Sequence, residues 1–101
     1  MKLDLSGLDP VLESRIRVGV LALLANGDTV DYTHLRDRLE VTDGNLATHL
    51  RRLEESGYVR VKKSFVGRRP NTAYVVTPKG RSALERHVSL LSEALKPGGS
   101  K

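Results

Sequence analysis

Asn45, Thr48, His49 and Arg52 recur at i, i+3, i+4 and i+7 within a segment whose leucines, Leu46, Leu50 and Leu53, fall at i, i+4 and i+7. On a helix these sets occupy different faces, one polar and one apolar. The polar set carries groups that match the edges of nucleobases. An asparagine amide pairs bidentately with adenine, a guanidinium prefers guanine O6 and N7, and a threonine methyl can meet that of thymine. His49 alone adds little, because exposed helical histidines are common. Gly44 has no side chain and lets the backbone come close to a ligand. Thr42 is placed to cap the helix by accepting from the amide of Asn45, and a helix amino terminus favours a phosphate. Asp43 opposes an anion; it either serves the helix dipole or accepts from cytosine. The plain alternative is a solvated helix face.

A second group follows at once. Residues 42 to 81 carry nine of the 17 Lys and Arg and three of the 12 Asp and Glu, a net of +6 in a chain of net +5, which leaves −1 for the rest. Such an excess in one segment is the footprint of a polyanion-binding surface, whereas a solubility surface mixes both signs. Arg68 and Arg69 flank a turn shaped by Gly67 and Pro70, and arginines from such a loop enter a narrow minor groove. Arg51, Lys62 and Lys63 are candidates to hold phosphates. Lysines also protect edge strands from aggregation, and for Lys62 and Lys63 that reading stands beside the first.

These residues need a frame, and the remaining pattern supplies one. Asp9-Pro10 reads as a cap followed by a first-turn proline, opening a helix with Val11, Leu12, Ile16, Val20, Leu23 and Leu24 at helical spacing. Val18 and Leu21 widen its stripe, so it is expected to be buried on two sides. Asn26-Gly27-Asp28 ends it. Thr29-Val30-Asp31 is long enough only for a single bridge to a sheet. Asp31 caps a helix over Tyr32–Leu39, Glu40-Val41 is a turn, and the leucine-striped helix runs from Thr42 to its C-cap at Gly57. Val59-Arg60-Val61-Lys62 alternates as a half-buried strand. Phe65 to Asn71 reads as a loop, and Thr72 to Thr77 as the returning strand. Thr77-Pro78 starts a last helix, in which Leu84, Val88, Leu91 and Leu95 form a near-heptad stripe suited to a core or a coiled-coil seam. Residues 1–8 are expected to be a flexible lead and 97–101 a disordered tail, leaving 9–96 as one domain.

The order is helix, strand, helix, helix, strand, basic loop, strand, helix: an α+β, mostly α, winged helix-turn-helix layout with long first and last helices. The segments Tyr32 to Leu39, Thr42 to Val59 and Arg68 to Gly80 carry a resemblance to small single-domain winged-helix regulators of the MarR and ArsR groups. Leu53-Glu54-Glu55-Ser56-Gly57-Tyr58-Val59 is similar to the recognition-helix exit of such proteins, and Thr72-Ala73-Tyr74-Val75-Val76-Thr77-Pro78-Lys79-Gly80 to their returning wing strand. The resemblance covers about residues 9 to 95. It implies sequence-specific binding of double-stranded DNA and regulation of transcription, with repression by promoter occlusion the expected mode. It also implies a homodimer. On the pattern of the outer helices, Leu12, Ile16, Leu84, Val88, Leu91 and Leu95 are the candidates for that contact; the alternative is a monomer whose core absorbs both stripes. MarR relatives bind aromatic small molecules. Tyr32 and Tyr58 would line such a site here or serve as ordinary half-buried core residues, and an effector stays unassigned. Two rival functions share the layout: a sequence-neutral chromosome-coating protein and a protein-docking module.

Other chemistry finds little support. There is no Cys, which excludes disulfides and thiolate metal sites. His34, His49 and His87 lie on three different expected helices, and no pair has the i, i+4 spacing of a helical metal site. No phosphate loop and no nucleophile–base spacing occurs, so neither enzyme activity nor a cofactor is expected. No apolar run approaches the roughly 20 residues of a membrane span, and Met1-Lys2-Leu3-Asp4 lacks the features of a signal peptide. A cytoplasmic, nucleoid-associated location is the expectation.

Overall fold

The computed structural model describes residues 5 to 95; the expected disordered tail 97–101 and half of the expected lead lie outside that range. Helices α1 (Arg15–Leu24), α2 (Tyr32–Leu39), α3 (Asp43–Glu55) and α4 (Pro78–Leu95) combine with strands β1 (Val30–Asp31), β2 (Val59–Val66) and β3 (Arg69–Val76). The strands form an antiparallel sheet in the order β1-β3-β2. This is the four-helix, three-strand winged-helix architecture anticipated above.

Three boundaries differ from expectation. The first helix is broken. Asp9 caps only a four-residue 3₁₀ turn, Pro10–Glu13, by accepting from the amide of Val11 at 2.9 Å. Ser14 adopts an extended backbone and starts α1 anew, its hydroxyl accepting from the amides of Ile16 and Arg17. A serine that can bond backbone amides two and three residues on competes with helix continuation. A second 3₁₀ turn, Leu5–Gly7, stands in the part of the expected lead that is described.

The third difference is the wing. Where a seven-residue loop is expected, β2 and β3 pair all the way to Val66 opposite Arg69, joined by the two-residue turn Gly67-Arg68. Gly67 has φ +66° while Arg68 does not share the left-handed region, the pattern of a hairpin turn with glycine first. Pro70 sits in β3 without cost. In a two-residue hairpin the pair closing the turn exchanges the hydrogen bonds, so the nitrogen of Pro70 faces away from β2. On that side β1 reaches only Ala73 and Tyr74.

The core joins Val20, Leu21 and Leu24 of α1, Leu35 of α2, Leu46, Leu50 and Leu53 of α3, Tyr58 between α3 and β2, Val59 and Tyr74 of the sheet and Ala83 of α4. The α2–α3 turn closes on Glu40 in the left-handed region (φ 54°), with the amides of Glu40 and Val41 both bonding Arg36 O. Where α3 leaves for the sheet, α4 is seated directly against the exit. A Cβ on Gly80 would lie 2.1 Å from the carbonyl oxygen of Tyr58, so only glycine fits. The amide of Thr77 donates to Tyr58 O at 3.0 Å, its hydroxyl donates to Gly57 O at 2.6 Å, and the same hydroxyl accepts from the amide of Gly80.

Candidate nucleic-acid interface

The helix α3 is held by local chemistry at its start. Thr42 Oγ1 accepts from the amide of Asn45 at 3.2 Å. Arg36 of α2 pairs with Asp43 at 3.1 Å, and Tyr32 Oη donates to the carbonyl of Asp43 at 2.9 Å. The Asp43 bond and charge hold the Arg36 guanidinium above its ordinary pKa. Asp43 is thus matched by a cation of the preceding helix, and its charge does not stand alone at the tip of α3.

Gly44, Asn45, Thr48, Arg51 and Arg52 are all exposed on α3, while Leu46, Leu50 and Leu53 are buried. Thr48 donates its hydroxyl hydrogen to Gly44 O at 3.0 Å. That leaves its methyl and the oxygen lone pairs for a partner. His49 stands apart from this group. It is half-buried, and Arg17 Nη1 of α1 lies 2.9 Å from its Nδ1. Burial, then the neighbouring Arg17 charge, lowers its pKa from 6.5, so the neutral ring accepts at Nδ1 and carries its hydrogen on Nε2. The same Arg17 donates through Nε to the carbonyl of Val11, in the 3₁₀ turn ahead of α1. Helical geometry already hints at this. At about 100° per residue His49 lies only about 60° from the centre of the leucine stripe, nearer the core than Asn45 or Arg52.

The wing presents Arg60, Lys62, Lys63, Arg68 and Arg69, all exposed. Among the described residues no carboxylate pairs with any of them. Two other exposed cations of the basic segment have partners within the chain. Lys79 lies 5.8 Å from the ring centre of Tyr58, and Arg81 donates to the carbonyl of Ala25 and pairs with Glu85 at 3.5 Å. Among the described residues, the cations of the segment left without a carboxylate partner are Arg51 and Arg52 of α3, Lys79 and the five of the wing.

The apolar stripes divide as well. Leu12 is only 3% exposed and packs in its own chain's core, Ile16 is half-buried, and Leu84 packs against the core. On α4, Val88, Leu91 and Leu95 are 55%, 46% and 83% exposed. Tyr58 is a core residue whose hydroxyl donates to Asp9 Oδ2, and burial raises its pKa. Tyr32 is taken up by Asp43 as described. Among the described residues no group of three or more His, Asp or Glu side chains could hold a metal ion, and no helix is long and apolar enough to cross a membrane.

A capped helix with an exposed polar face, set beside a cationic hairpin in this topology, defines the class of winged-helix DNA-binding regulators of transcription, which are not enzymes. Comparison with known proteins agrees. The family model of the winged helix DNA-binding domain matches residues 16–95, and the chain belongs to that family. An uncharacterised protein of Methanocaldococcus jannaschii is 40% identical over 78 residues, spanning 77% of this chain and 85% of its own. A transcriptional regulator homologue from Pyrococcus horikoshii is similar in structure, with a TM-score of 0.72, 28% identity, and coverage of 84% of this chain and 89% of that one. The structure of MarR superposes with a TM-score of 0.71 at 23% identity, over 82% of this chain and 60% of that one, a likeness of fold.

Proposed function

We propose that the protein is a homodimeric, sequence-specific regulator that lays α3 in the major groove and its wing along the adjacent minor groove, acting as a repressor by occluding a promoter. The observation that carries this reading is the exposed face of Asn45, Thr48 and Arg52 next to a wing whose five cations have no carboxylate partner among the described residues. In the proposed roles Gly44, Asn45, Thr48 and Arg52 read bases, while Thr42, Arg51, Lys62, Lys63, Arg68 and Arg69 hold phosphates or the minor-groove wall. His49 reads a base through Nε2 only if Arg17 keeps its Nδ1. The exposed Val88, Leu91 and Leu95 of α4 meet their equivalents across a two-fold axis, which sets two recognition helices about 34 Å apart.

Selection of bound duplexes from a random pool by the purified protein, at about 150 mM salt, tests this. A palindrome with half-sites about one helical turn apart is the expected result. Enrichment of base composition alone would replace specific regulation with chromosome coating, and failure to retain any duplex would point to a protein-docking module.

A further inference from the structure

The wing tip carries more than charge. Phe65, the single phenylalanine of the chain, is 71% exposed, and its neighbour Val66 is 66% exposed. Phe65 pairs with Pro70 across the hairpin, as Val61 pairs with Tyr74 nearer its root. Directly paired residues, and residues two apart on a strand, share one face of a sheet. Phe65 and Pro70 therefore lie on the face that, at the root, buries Tyr74 against the helices. A cleft between α2 and the edge of the hairpin is lined by Tyr32, Thr33, Pro70, Asn71, Thr72 and Tyr74. The tip thus combines an aromatic ring and a proline on one face with Lys63 beside them on that face, Arg68 in the turn, and Lys62 and Arg69 on the opposite face of the same two strands.

Water gives an exposed phenylalanine at a hairpin tip nothing in return, and a core contact is out of its reach. The cations of the hairpin that bears it make a neutral or cationic protein surface a poor partner and select a polyanion. Apolar side chains borne on cationic elements are the parts that wedge between base pairs in the minor groove, where they unstack a step and bend the duplex. Pyrimidine–purine steps yield most easily.

We propose that Phe65, backed by Pro70, is a wedge that partly inserts at a flexible pyrimidine–purine step in the minor groove, so that the wing selects deformable sequence as well as phosphate. This rests on the DNA-binding reading above and adds to it a specificity device outside α3. Arg68 and Arg69 supply the attraction that brings the tip down, and Phe65 supplies the discrimination.

The test uses the full chain and an alternating A·T duplex of roughly 30 base pairs in which 2-aminopurine replaces single adenines. Every register then offers a T–A step, and no operator need be known. Fluorescence anisotropy of an end label reports binding, and 2-aminopurine emission reports unstacking. Wild-type protein should raise the emission on binding. Phe65→Ala should still bind, on the order of tenfold more weakly, without the rise, and Phe65→Leu should keep part of it. Phe65→Lys separates the wedge from simple attraction: it should bind without unstacking. The inference is overturned if wild type binds with no rise in emission, or if Phe65→Ala or Phe65→Lys gives the wild-type rise. Absence of any anisotropy change with wild type at low salt would instead overturn the DNA-binding reading itself, and this inference with it.

Discussion

Thr48 and Arg52 meet a partner with different resources. Thr48 has committed its hydroxyl hydrogen to Gly44 O, so it offers a methyl and an acceptor, whereas Arg52 is exposed with all its donors intact. Replacing Arg52 by Ala is expected to relax base preference at one position, removing about 1–3 kcal/mol of discrimination. Lys63→Ala should weaken all sequences alike and lower the slope of log affinity against log salt by about 1. Titrations of each variant on selected and random duplexes check the pair; equal losses on both duplexes for both variants would refute the division of roles. His49 gives a pH-dependent expectation. Its folded pKa is depressed below 6.5, so the folded state binds fewer protons than the unfolded one in that window. The stability it contributes is complete above about pH 6.5 and is lost as pH falls through its folded value. His49→Gln keeps an acceptor for Arg17 and does not titrate. Between pH 7.5 and 5 the melting temperature of wild type should therefore fall further than that of the variant, and parallel curves would remove the role of this contact.

At the scale of elements, what could be read in the sequence was local. Thr42 and Asn45 are three residues apart, and Leu46, Leu50 and Leu53 share a stripe, so the start of α3 and its buried face follow from neighbours along the chain. The break at Ser14 was not legible, because Asp9-Pro10 is an equally good start and only the structure shows which cap begins the longer helix. The Arg17–His49 contact spans 32 positions and leaves no periodic signal. Phe65 to Asn71 reads as a loop because Gly67 and Pro70 are breakers; the pairing shows them as a turn residue and a strand residue with no ladder bond to lose. Gly80 matched a familiar pattern, yet its reason lies across the molecule at Tyr58 O. Gly80→Ala must push α4 away from the α3 exit and is expected to cost about 3 kcal/mol. Thr42→Ala, which removes only a cap, should cost about 1 kcal/mol. Thermal unfolding of both variants checks the order, and a Gly80→Ala protein as stable as wild type would contradict the seat described above.

For the molecule as a whole, the exposed cations of the wing and the exposed aliphatic side chains of α4, which lie along its last two turns and a half, are on separate elements. The two surfaces call for separate tests. Leu91→Lys should leave the fold intact, since the side chain is already half exposed, and convert the proposed dimer to a monomer in light scattering at micromolar concentration. Its affinity for a palindrome should fall to that for a half-site. With about 6–10 phosphate contacts in the dimer, wild-type affinity should drop on the order of 10³–10⁵ between 50 and 200 mM salt. A wild-type monomer would remove the dimer, and a flat salt response would remove the phosphate contacts.

The close seat of Gly80 has a consequence for length scales. Eighteen residues of α4 make a rod of about 27 Å, fixed at one end to the exit of α3, so a rotation of about 5° at the seat swings the far end by roughly 2 Å. If the far ends are clamped together in pairs, that angle sets how far apart the two α3 helices stand. A glycine that touches no DNA would then act as the ruler for half-site spacing, and small changes around Tyr58, Thr77 and Gly80 would shift which spacing the protein accepts while leaving every base-reading side chain in place.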